Sequence, residues 1–251
     1  MQTYKAHLTK KESVTEHVYL LEFKLENQEH LQFVAGQYMM LLCPQPDETN
    51  ISRLYSVASH PHSGDTFELL VEIVPNGVAS KYVLEMNVGD EVQLRGPAGM
   101  FTLRGNNHRI FMATGTGIAP IRSMLKDIIL GSEQTEHTNF LFWGVQYLKD
   151  MYFLEELKSF TKTHPSFEFF ICLSKETDLN GVPEEDRKYF VLGRVNIGLE
   201  KRLGKNILGE TIEIPTDFDY YLCGGRTVIE SLRQYLYDKQ VAKEHVIFEK
   251  F

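Results

Sequence analysis

The stretch RIFMATGTGIAPIRSML, residues 109–125, decides the fold expected of this chain. It begins with a short apolar run, passes through a glycine-rich turn, and continues with apolar residues such as Ile118 and Leu125 at helical spacing. This order predicts a buried strand, a tight turn and an amphipathic helix. Gly115 and Gly117 leave the turn without side chains at the helix N-terminus, which favours an anion. The stretch therefore predicts a parallel α/β sheet with a phosphate-binding turn, although glycine turns before helices are often only structural.

The alternation of strand and helix continues to the end of the chain. The apolar runs NFLFWG, FEFFICL, DYYLCG and HVIFEKF follow RIFMA in order and, with it, predict five buried strands. After DYYLCG, a helical face is predicted at Val228, Leu232, Tyr235 and Leu236. These patterns predict a five-stranded parallel sheet with helices on both faces.

In the part of the chain before residue 105, apolar residues recur with a different period. From Tyr4 to about Leu103, runs such as HVYLLEF, QYMMLL and TFELLVEIV alternate apolar and polar residues and are separated by turn residues. This pattern predicts a small antiparallel Greek-key β-barrel of six strands. We place a barrel domain at residues 1–104 and an α/β domain at residues 105–251.

The composition limits the classes of function. The formal net charge of -8 over 251 residues argues against a nucleic-acid partner, because phosphate binding needs a basic surface. No apolar run approaches the roughly 20 residues that span a bilayer, and the N-terminal residues lack the apolar core of a signal peptide. Three widely spaced cysteines, Cys43, Cys172 and Cys223, lack the spacing of a cluster site. We therefore expect a cytoplasmic protein with no metal centre, no nucleic-acid partner and no membrane partner.

The stretch RLYSVAS lies where the barrel pattern predicts a strand, yet it carries a guanidinium, a phenol and hydroxyls. Further along, VPNGVASKYVLEM predicts a turn at Gly77 and a short helix with Ser80 in its first turn, which is a second anion site. Arg53 can pair with that anion, Tyr55 can pack on a planar ligand, and Ser56 can offer a hydroxyl. The pattern predicts a bound aromatic phosphate ester. The alternative is an edge strand with a surface arginine.

A further strand end, YYLCGG, places Cys223, Gly224 and Gly225 at the carboxyl edge of the predicted parallel sheet. Ligands of open parallel sheets bind at that edge. A lone cysteine is also common as a small buried apolar residue, so both interpretations stay open. The turn after RIFMA has the spacing GxGxxP and not GxGxxG, so the ordinary dinucleotide fingerprint is not met.

Six motifs in order resemble those of the ferredoxin-NADP reductase superfamily: RLYSVAS, GVAS, GPAGMF, ATGTGIAP, YLCGG and the final FEKF. The resemblance covers essentially the whole chain. It implies an FAD-binding barrel followed by an NAD(P)-binding α/β domain, similar to flavodoxin and ferredoxin reductases and to the reductase components of oxygenases.

The resemblance also implies roles for individual residues. For FAD these are Arg53, Leu54, Tyr55, Ser56, Val71, Ile73, Gly77, Val78, Ala79, Ser80 and Phe251. For NAD(P) they are Gly115, Thr116, Gly117, Lys175, Arg194, Cys223 and Gly224. Ser56, Cys223 and Glu249 match the family's catalytic positions, and Phe251 matches a terminal aromatic that covers the flavin. Gln146 stands where an arginine for the 2′-phosphate is often found, so the choice between NADH and NADPH stays open.

The activity implied by the resemblance is hydride transfer from NADH or NADPH to FAD, followed by electron transfer to a separate acceptor. The acceptor would be a ferredoxin, a flavodoxin or an oxygenase component. Two alternatives stay open: a free flavin or ferric reductase, and an electron-transfer subunit of a larger complex. We expect a monomer.

Overall fold

A computed structural model describes residues 1–26, 30–47, 49–131, 137–204 and 213–251. The chain divides into two compact units. The first comprises Met1–Leu103 and Ala119–Ser132, and the second comprises Arg104–Ile118 and Glu133–Phe251.

The first unit is built on one antiparallel sheet of six strands. Its elements are β1 (Gln2–Ser13), β2 (Val18–Leu25), β3 (Tyr38–Pro44), β4 (Asn50–Ser56), β5 (Thr66–Glu72), α1 (Val78–Glu85) and β6 (Glu91–Ala98). The strand order is β4-β3-β6-β1-β2-β5, and every neighbouring pair is antiparallel. The predicted six-stranded antiparallel barrel is confirmed as a strongly curled sheet.

The curled sheet closes at one place. Just beyond the end of β4, Val57 bridges to Leu69 of β5, and the Ala58 N–H donates to the Glu68 carbonyl oxygen at 2.8 Å. Along its length β4 is paired with β3, so its other edge is left open up to that bridge. Inside the curl, apolar side chains alternate with outward polar ones, and the rings of Phe23 and Phe67 stack with their centroids 5.6 Å apart. The period-two pattern of the sequence thus builds a single apolar core.

The second unit is built on a parallel sheet of six strands. Its strands are β7 (Arg109–Thr114), β8 (Asn139–Val145), β9 (Phe167–Leu173), β10 (Phe190–Leu192), β11 (Asp219–Gly224) and β12 (Val246–Lys250). The helices that follow its strands are α2 (Ile118–Leu130), α3 (Leu154–Thr163), α4 (Val195–Leu203) and α5 (Arg226–Asp238). The strand order is β10-β9-β8-β7-β11-β12. The chain therefore builds outward from β7 in one direction and returns to add β11 on the other side, which makes β7 and β11 the strands between which the order reverses.

Two sequence expectations for this sheet need correction. The sheet has six strands and not five, because β10, Phe190–Leu192, adds a three-residue strand too short to produce a periodic pattern. Val228 was expected on the buried face of α5, but it is 41% exposed, and Ile229 is buried in its place. The buried face of α5 consists of Ile229, Leu232 and Leu236, whose spacing matches one helical stripe.

Helix α2 follows β7 in the chain, yet its residues from Ala119 onward belong to the first unit. Arg122 of α2 is buried, and its guanidinium donates to the Ala58 carbonyl oxygen at 2.7 Å and to a Glu68 carboxylate oxygen at 2.6 Å. The Lys126 ammonium lies 3.6 Å from the same carboxylate. The predicted boundary between residues 104 and 105 stays a prediction. Among the described residues, no helix is both long and apolar enough to cross a bilayer.

The contact between Arg122 and Glu68 generates a stability prediction. Burial raises the pKa of Glu68, but the charges of Arg122 and Lys126 outweigh burial and hold that pKa below its usual value. A lowered folded pKa contributes stability above the unfolded value of about 4.3, and this contribution is lost as the pH falls through the folded pKa. We expect Glu68→Gln to lower the free energy of unfolding at neutral pH by about 3 kcal/mol. It should also flatten the loss of stability between neutral pH and pH values below 4.3. Chemical denaturation across this range measures both effects.

The control for this prediction is Glu85→Gln, which removes an exposed carboxylate from α1. We expect Glu85→Gln to keep the wild-type pH profile. If Glu68→Gln also kept that profile, the ion pair with Arg122 would contribute no pH-dependent stability.

Candidate functional site

The unusual residues of RLYSVAS lie on β4, at the edge of the curled sheet. In the register of β3 with β4, Arg53 is opposite Leu41 and Tyr55 is opposite Met39. Directly opposite residues of an antiparallel pair share one face, and both Leu41 and Met39 are completely buried. Arg53 and Tyr55 therefore lie on the core-facing side of the sheet, although Arg53 is exposed and Tyr55 is half-buried. Within the described residues, the core-facing side of β4 is thus only partly covered by protein, and the exposed Arg53 is accessible there to a ligand.

The charge and aromatic character of this surface fit a planar anionic ligand. The Arg53 guanidinium donates to the Ser52 carbonyl oxygen at 2.9 Å and is exposed. The Tyr55 ring packs against the barrel core. Burial raises the pKa of Tyr55 to about 12, and the nearby Arg53 charge opposes that rise. The phenol is therefore neutral at physiological pH, and Tyr55 offers an aromatic face and not a charge.

Helix α1 lies where the sequence predicted a short helix after Gly77, and we take its N-terminus as the second part of the candidate site. It begins after Gly77, and it packs against β3, the neighbour of β4. Its first turn contains no acidic residue, so its N-terminal amides keep their preference for an anion. The Ser80 hydroxyl oxygen accepts the Val74 N–H at 2.9 Å, and a Cβ on Gly77 would lie 2.8 Å from that hydroxyl oxygen. Ser80 thus holds the turn together, and its predicted contact with a phosphate stays a prediction.

The other residues predicted for this site have different surroundings. Leu54 is 57% exposed on the outer face of β4, and Ser56 is half-buried at the end of that strand. Val71 is completely buried in the barrel core, while Ile73 and Val78 are half-buried against it. Ala79 is buried in α1. We call Arg53–Ser56 together with Gly77–Ser80 the barrel site.

The second unit brings the other two predicted motifs together at the ends of β7 and β11. The Gly115–Gly117 turn follows β7, and Cys223, Gly224 and Gly225 lie at the end of β11, the neighbouring strand. A Cβ on Gly117 would lie 2.3 Å from the Cys223 carbonyl oxygen. A Cβ on Gly224 would lie 2.1 Å from Thr114 Oγ1. Glycine is therefore required at these two positions because other atoms of the protein, the Cys223 backbone and the Thr114 side chain, occupy the space that a Cβ would need.

Two other glycines at the same place face open space. An added Cβ would meet nothing within 4 Å at Gly115, which has a φ of +53°, or at Gly225. Both follow strands at the point where the strand order reverses, which is where ligands of doubly wound sheets bind. The sequence predicted that a ligand approaches Gly115 and Gly117 alike, whereas the structure leaves space at Gly115 and fills it at Gly117. We call Gly115–Gly117 together with Cys223–Gly225 the switch-point site.

Sequence reasoning missed two residues that contact the switch-point site. Trp143 of β8 is completely buried, and its indole Nε1–H donates to the Gly115 carbonyl oxygen at 3.0 Å. The Tyr152 hydroxyl lies 3.4 Å from the same oxygen. The available signal was a single tryptophan at the end of an apolar strand, because a buried indole N–H needs an acceptor.

Cys223 and Glu249 lie side by side on neighbouring strands, in register on β11 and β12. Cys223 is completely buried and Glu249 is half-buried. Burial, assisted by the Glu249 charge, raises the pKa of Cys223 well above its usual value. The thiol is therefore protonated at physiological pH, which is unsuited to nucleophilic chemistry.

Phe251 lies beside the end of β11. Its N–H donates to the Gly224 carbonyl oxygen at 3.3 Å, and its carbonyl oxygen accepts the Arg226 N–H at 3.0 Å. Its side chain is 63% exposed. The backbone of Phe251 is thus held at the switch-point site, and the ring is left at the surface.

The two basic residues predicted for coenzyme recognition are at adjacent strand ends. Lys175 is two residues beyond β9 and Arg194 is two residues beyond β10, and these strands are paired with Leu173 opposite Leu192. Both side chains are exposed. The Lys175 ammonium lies 5.7 Å from the centre of the Tyr147 ring. Beside them, an open depression is lined by Tyr147, Leu148, Lys149 and Glu176.

A polar cluster lies on β1, β6 and the residue after β2, apart from the barrel site. The potential ligand atoms of His7, Glu26 and Glu91 all lie within 4.8 Å of one another. The Lys5 ammonium, 3.0 Å from Glu91, already supplies a positive charge to these carboxylates. An exposed cluster that contains its own counter-charge is an ordinary surface ion network.

The residues of both sites fit the cofactors implied by the sequence. The barrel site offers an aromatic face, a guanidinium and a helix N-terminus, which suit the ring and phosphates of FAD. The switch-point site offers a glycine turn with open space at a strand-order reversal, which suits the pyrophosphate of a nicotinamide dinucleotide.

Comparison with known proteins agrees with this fit. Residues 5–103 match the oxidoreductase FAD-binding domain family, and residues 111–234 match the oxidoreductase NAD-binding domain family. The toluate 1,2-dioxygenase electron transfer component of Pseudomonas putida is 29% identical over 250 residues, which are 99% of this chain and 67% of that protein.

Two solved structures share the fold. The cytochrome P450 reductase GcoB of Amycolatopsis has a TM-score of 0.83 at 23% identity, with coverage of 100% of this chain and 70% of that chain. A ferredoxin NADP+ reductase from Neisseria gonorrhoeae, solved with bound FAD and NADP, has a TM-score of 0.79 at 20% identity, with coverage of 100% and 99%.

The chain spans between 44% and 67% of the length of the curated relatives that it matches. The matched regions nevertheless include the barrel site and the switch-point site, and the FAD-binding region precedes the NAD-binding region, as the sequence motifs predicted. The chain belongs to the ferredoxin-NADP reductase superfamily.

Proposed function

We propose that this chain is an FAD-dependent NAD(P)H oxidoreductase that delivers electrons to a separate acceptor. One observation carries the proposal: the partly covered core-facing side of β4, which bears an exposed Arg53 and a half-buried Tyr55, occurs in the same chain as an open glycine turn between β7 and β11. The first feature suits FAD and the second suits a nicotinamide dinucleotide. The nicotinamide and the flavin, when bound, supply the hydride chemistry.

The barrel site's contribution is binding and orientation. Arg53 and the α1 amides neutralise the pyrophosphate, because charge-assisted hydrogen bonds and a helix N-terminus both favour phosphate oxygens. Tyr55 packs against the barrel core on the core-facing side of β4, stays neutral there, and offers the exposed part of its ring to the ligand. Ser56, at the end of β4, offers a hydroxyl to a polar atom of the ring system.

The switch-point site's contribution is to receive the dinucleotide and keep the surroundings of its nicotinamide dry. Cys223 is completely buried and protonated, so it adds a small apolar side chain to the interior beside Gly224 and does not react. Glu249 is adjacent to it and supplies a carboxylate that can hold or pass a proton. No strong base is required of the chain, since the cofactors carry the chemistry.

We propose that the acceptor is a protein, either an oxygenase component or a ferredoxin or flavodoxin. The toluate relative is named as an electron transfer component of a dioxygenase, and that relation supports the proposal. A free flavin or ferric reductase remains the second candidate. Gel filtration separates them, because a reductase of free flavin releases FAD during the run, and the proposed flavoenzyme retains it.

We also propose that the protein works as a monomer in the cytoplasm. All three cysteines, Cys43, Cys172 and Cys223, are free and buried in the structure, which is compatible with a reducing compartment. Analytical ultracentrifugation of the full chain tests the monomer.

Arg53→Ala tests the barrel site. We expect the variant to lose FAD, with a dissociation constant raised by at least about tenfold, because hydrogen bonds to charged groups contribute about 1.5–3 kcal/mol. The matched control is Arg95→Ala, another exposed arginine on a barrel strand, which should keep its FAD. FAD content is measured from visible absorbance after gel filtration. Equal FAD content in the two variants would show that Arg53 does not bind the pyrophosphate.

The coenzyme preference is tested with Lys175→Ala and Arg194→Ala combined. If these cations pair with a 2′-phosphate, the double variant should lose reactivity with NADPH and keep its reactivity with NADH. The measurement is kcat/KM for each donor with ferricyanide as acceptor. A parallel fall for NADH and NADPH would contradict a role for these residues in reading the 2′-phosphate.

Phe251→Ala tests whether the terminal ring covers the place of the nicotinamide. The backbone of Phe251 is hydrogen-bonded to Gly224 and Arg226, so rotation of the side chain can clear the space while those bonds are kept. We expect the variant to bind NAD+ or NADP+ more tightly and to show an altered kcat. Difference absorbance titrations give the dissociation constants, and values equal to those of the wild type would remove the gating role.

A further inference from the structure

The carbonyl group of Gly115 is held by donors from three parts of the second unit. Trp143 Nε1 on β8 donates at 3.0 Å, the Tyr152 hydroxyl is at 3.4 Å, and the Ile118 N–H at the start of α2 donates to the same oxygen. The two aromatic rings also contact each other edge to face, with centroids 4.7 Å apart. This arrangement directs the carbonyl of an exposed glycine into the protein interior.

The direction of that carbonyl sets the direction of the next amide. In a trans peptide the C=O and N–H of one unit point in opposite directions. Because the Gly115 carbonyl points to the buried Trp143, the Thr116 N–H of the same peptide points in the opposite direction, at a turn where Gly115 is exposed and Thr116 is half-buried. Gly115 has a φ of +53°, and glycine has no Cβ to prevent that peptide from rotating to other orientations. The turn therefore depends on its hydrogen-bond donors to keep one orientation.

We propose that Trp143 is a positioning residue for the dinucleotide, assisted by Tyr152. Its indole N–H fixes the peptide between Gly115 and Thr116 so that the turn presents an amide to the pyrophosphate. This inference rests on the proposed function, because it requires that NAD(P) binds at the switch-point site. Trp143 does not touch the ligand, and it acts through the backbone of Gly115.

The two side-chain donors differ in strength, while the Ile118 N–H is a backbone donor that no substitution in the test removes. The Trp143 distance of 3.0 Å is normal for an N–H donor, whereas 3.4 Å is long for a hydroxyl donor. Trp143 therefore carries most of the effect and Tyr152 a smaller part. The competing explanation is that the hydrogen bond only satisfies a buried indole, in which case its removal changes stability alone.

The test replaces the donors while keeping aromatic rings in place. Trp143→Phe removes the N–H, Tyr152→Phe removes only the hydroxyl, and benzothienylalanine at position 143 keeps the bicyclic shape with sulfur in place of N–H. The dissociation constants of NAD+ and NADP+ are measured by difference absorbance on the FAD-loaded protein, together with FAD content and Tm. We expect Trp143→Phe and the benzothienyl variant to weaken dinucleotide binding by about 3- to 10-fold, since one hydrogen bond contributes about 0.5–1.5 kcal/mol. Tyr152→Phe should weaken it less, and FAD content should stay at the wild-type level in all three.

The matched control is Tyr220→Phe on β11 of the same sheet. This substitution removes a buried hydroxyl that donates to the Pro215 carbonyl oxygen. It should lower Tm without changing dinucleotide binding. Wild-type binding by both the Phe and the benzothienyl variants would overturn the inference and leave the proposed function intact. If the wild-type protein itself bound neither NAD+ nor NADP+, the proposed function would fail first.

The fluorescence of the chain offers an independent readout, because Trp143 is its single tryptophan. Protein stripped of FAD should change its indole emission when NAD+ or NADP+ is added, since the ligand contacts the peptide bonded to the indole. Unchanged emission at saturating ligand would count against the proposed coupling.

Discussion

The second sheet depends on a close approach at the ends of β7 and β11, where two positions leave no room for a Cβ. A Cβ at position 117 would lie 2.3 Å from the Cys223 carbonyl oxygen, and one at position 224 would lie 2.1 Å from Thr114 Oγ1. Gly117 is therefore packed against the backbone of Cys223, and Gly224 against the side chain of Thr114, at the point where the strand order reverses. This approach leaves Gly115 and Gly225 facing open space, and it brings Cys223 and Glu249 into the same region. The geometry expected of a dinucleotide site follows from this constraint.

The surface that we propose for FAD on the curled sheet has a different physical origin. The core-facing side of the sheet is completely buried at Met39 and Leu41 of β3, and it is only partly covered at β4. At the opposite positions the chain carries Tyr55 and Arg53 in place of further apolar side chains. A ligand bound there, as we propose for FAD, would cover the polar residues with which RLYSVAS interrupts an otherwise apolar pattern.

Much of the fold, and the elements that carry the candidate site residues, were predictable from the sequence, because periodicity and turn residues are local signals. The switch from period two to buried strand and helix located both sheets, and the helix after Gly77 began where predicted. The three-residue strand β10 gives no periodic signal, and the exposed Val228 differs from its buried neighbour Ile229 by a single position on the helix. Two features of the switch-point site were not predictable: the close approach of Cys223 that requires a glycine at position 117, and the hydrogen bond from Trp143 to Gly115. Both depend on the pairing of strands that are distant in the sequence, and no local pattern contains that information.

The central claim is that this chain holds FAD and accepts electrons from a nicotinamide dinucleotide. The most direct measurement is the visible spectrum of the purified chain, followed by anaerobic titration with NADH and separately with NADPH. The account predicts flavin absorption bands that bleach on addition of at least one donor. A colourless protein that takes up no added FAD under native conditions, or flavin bands that neither donor bleaches, would contradict it.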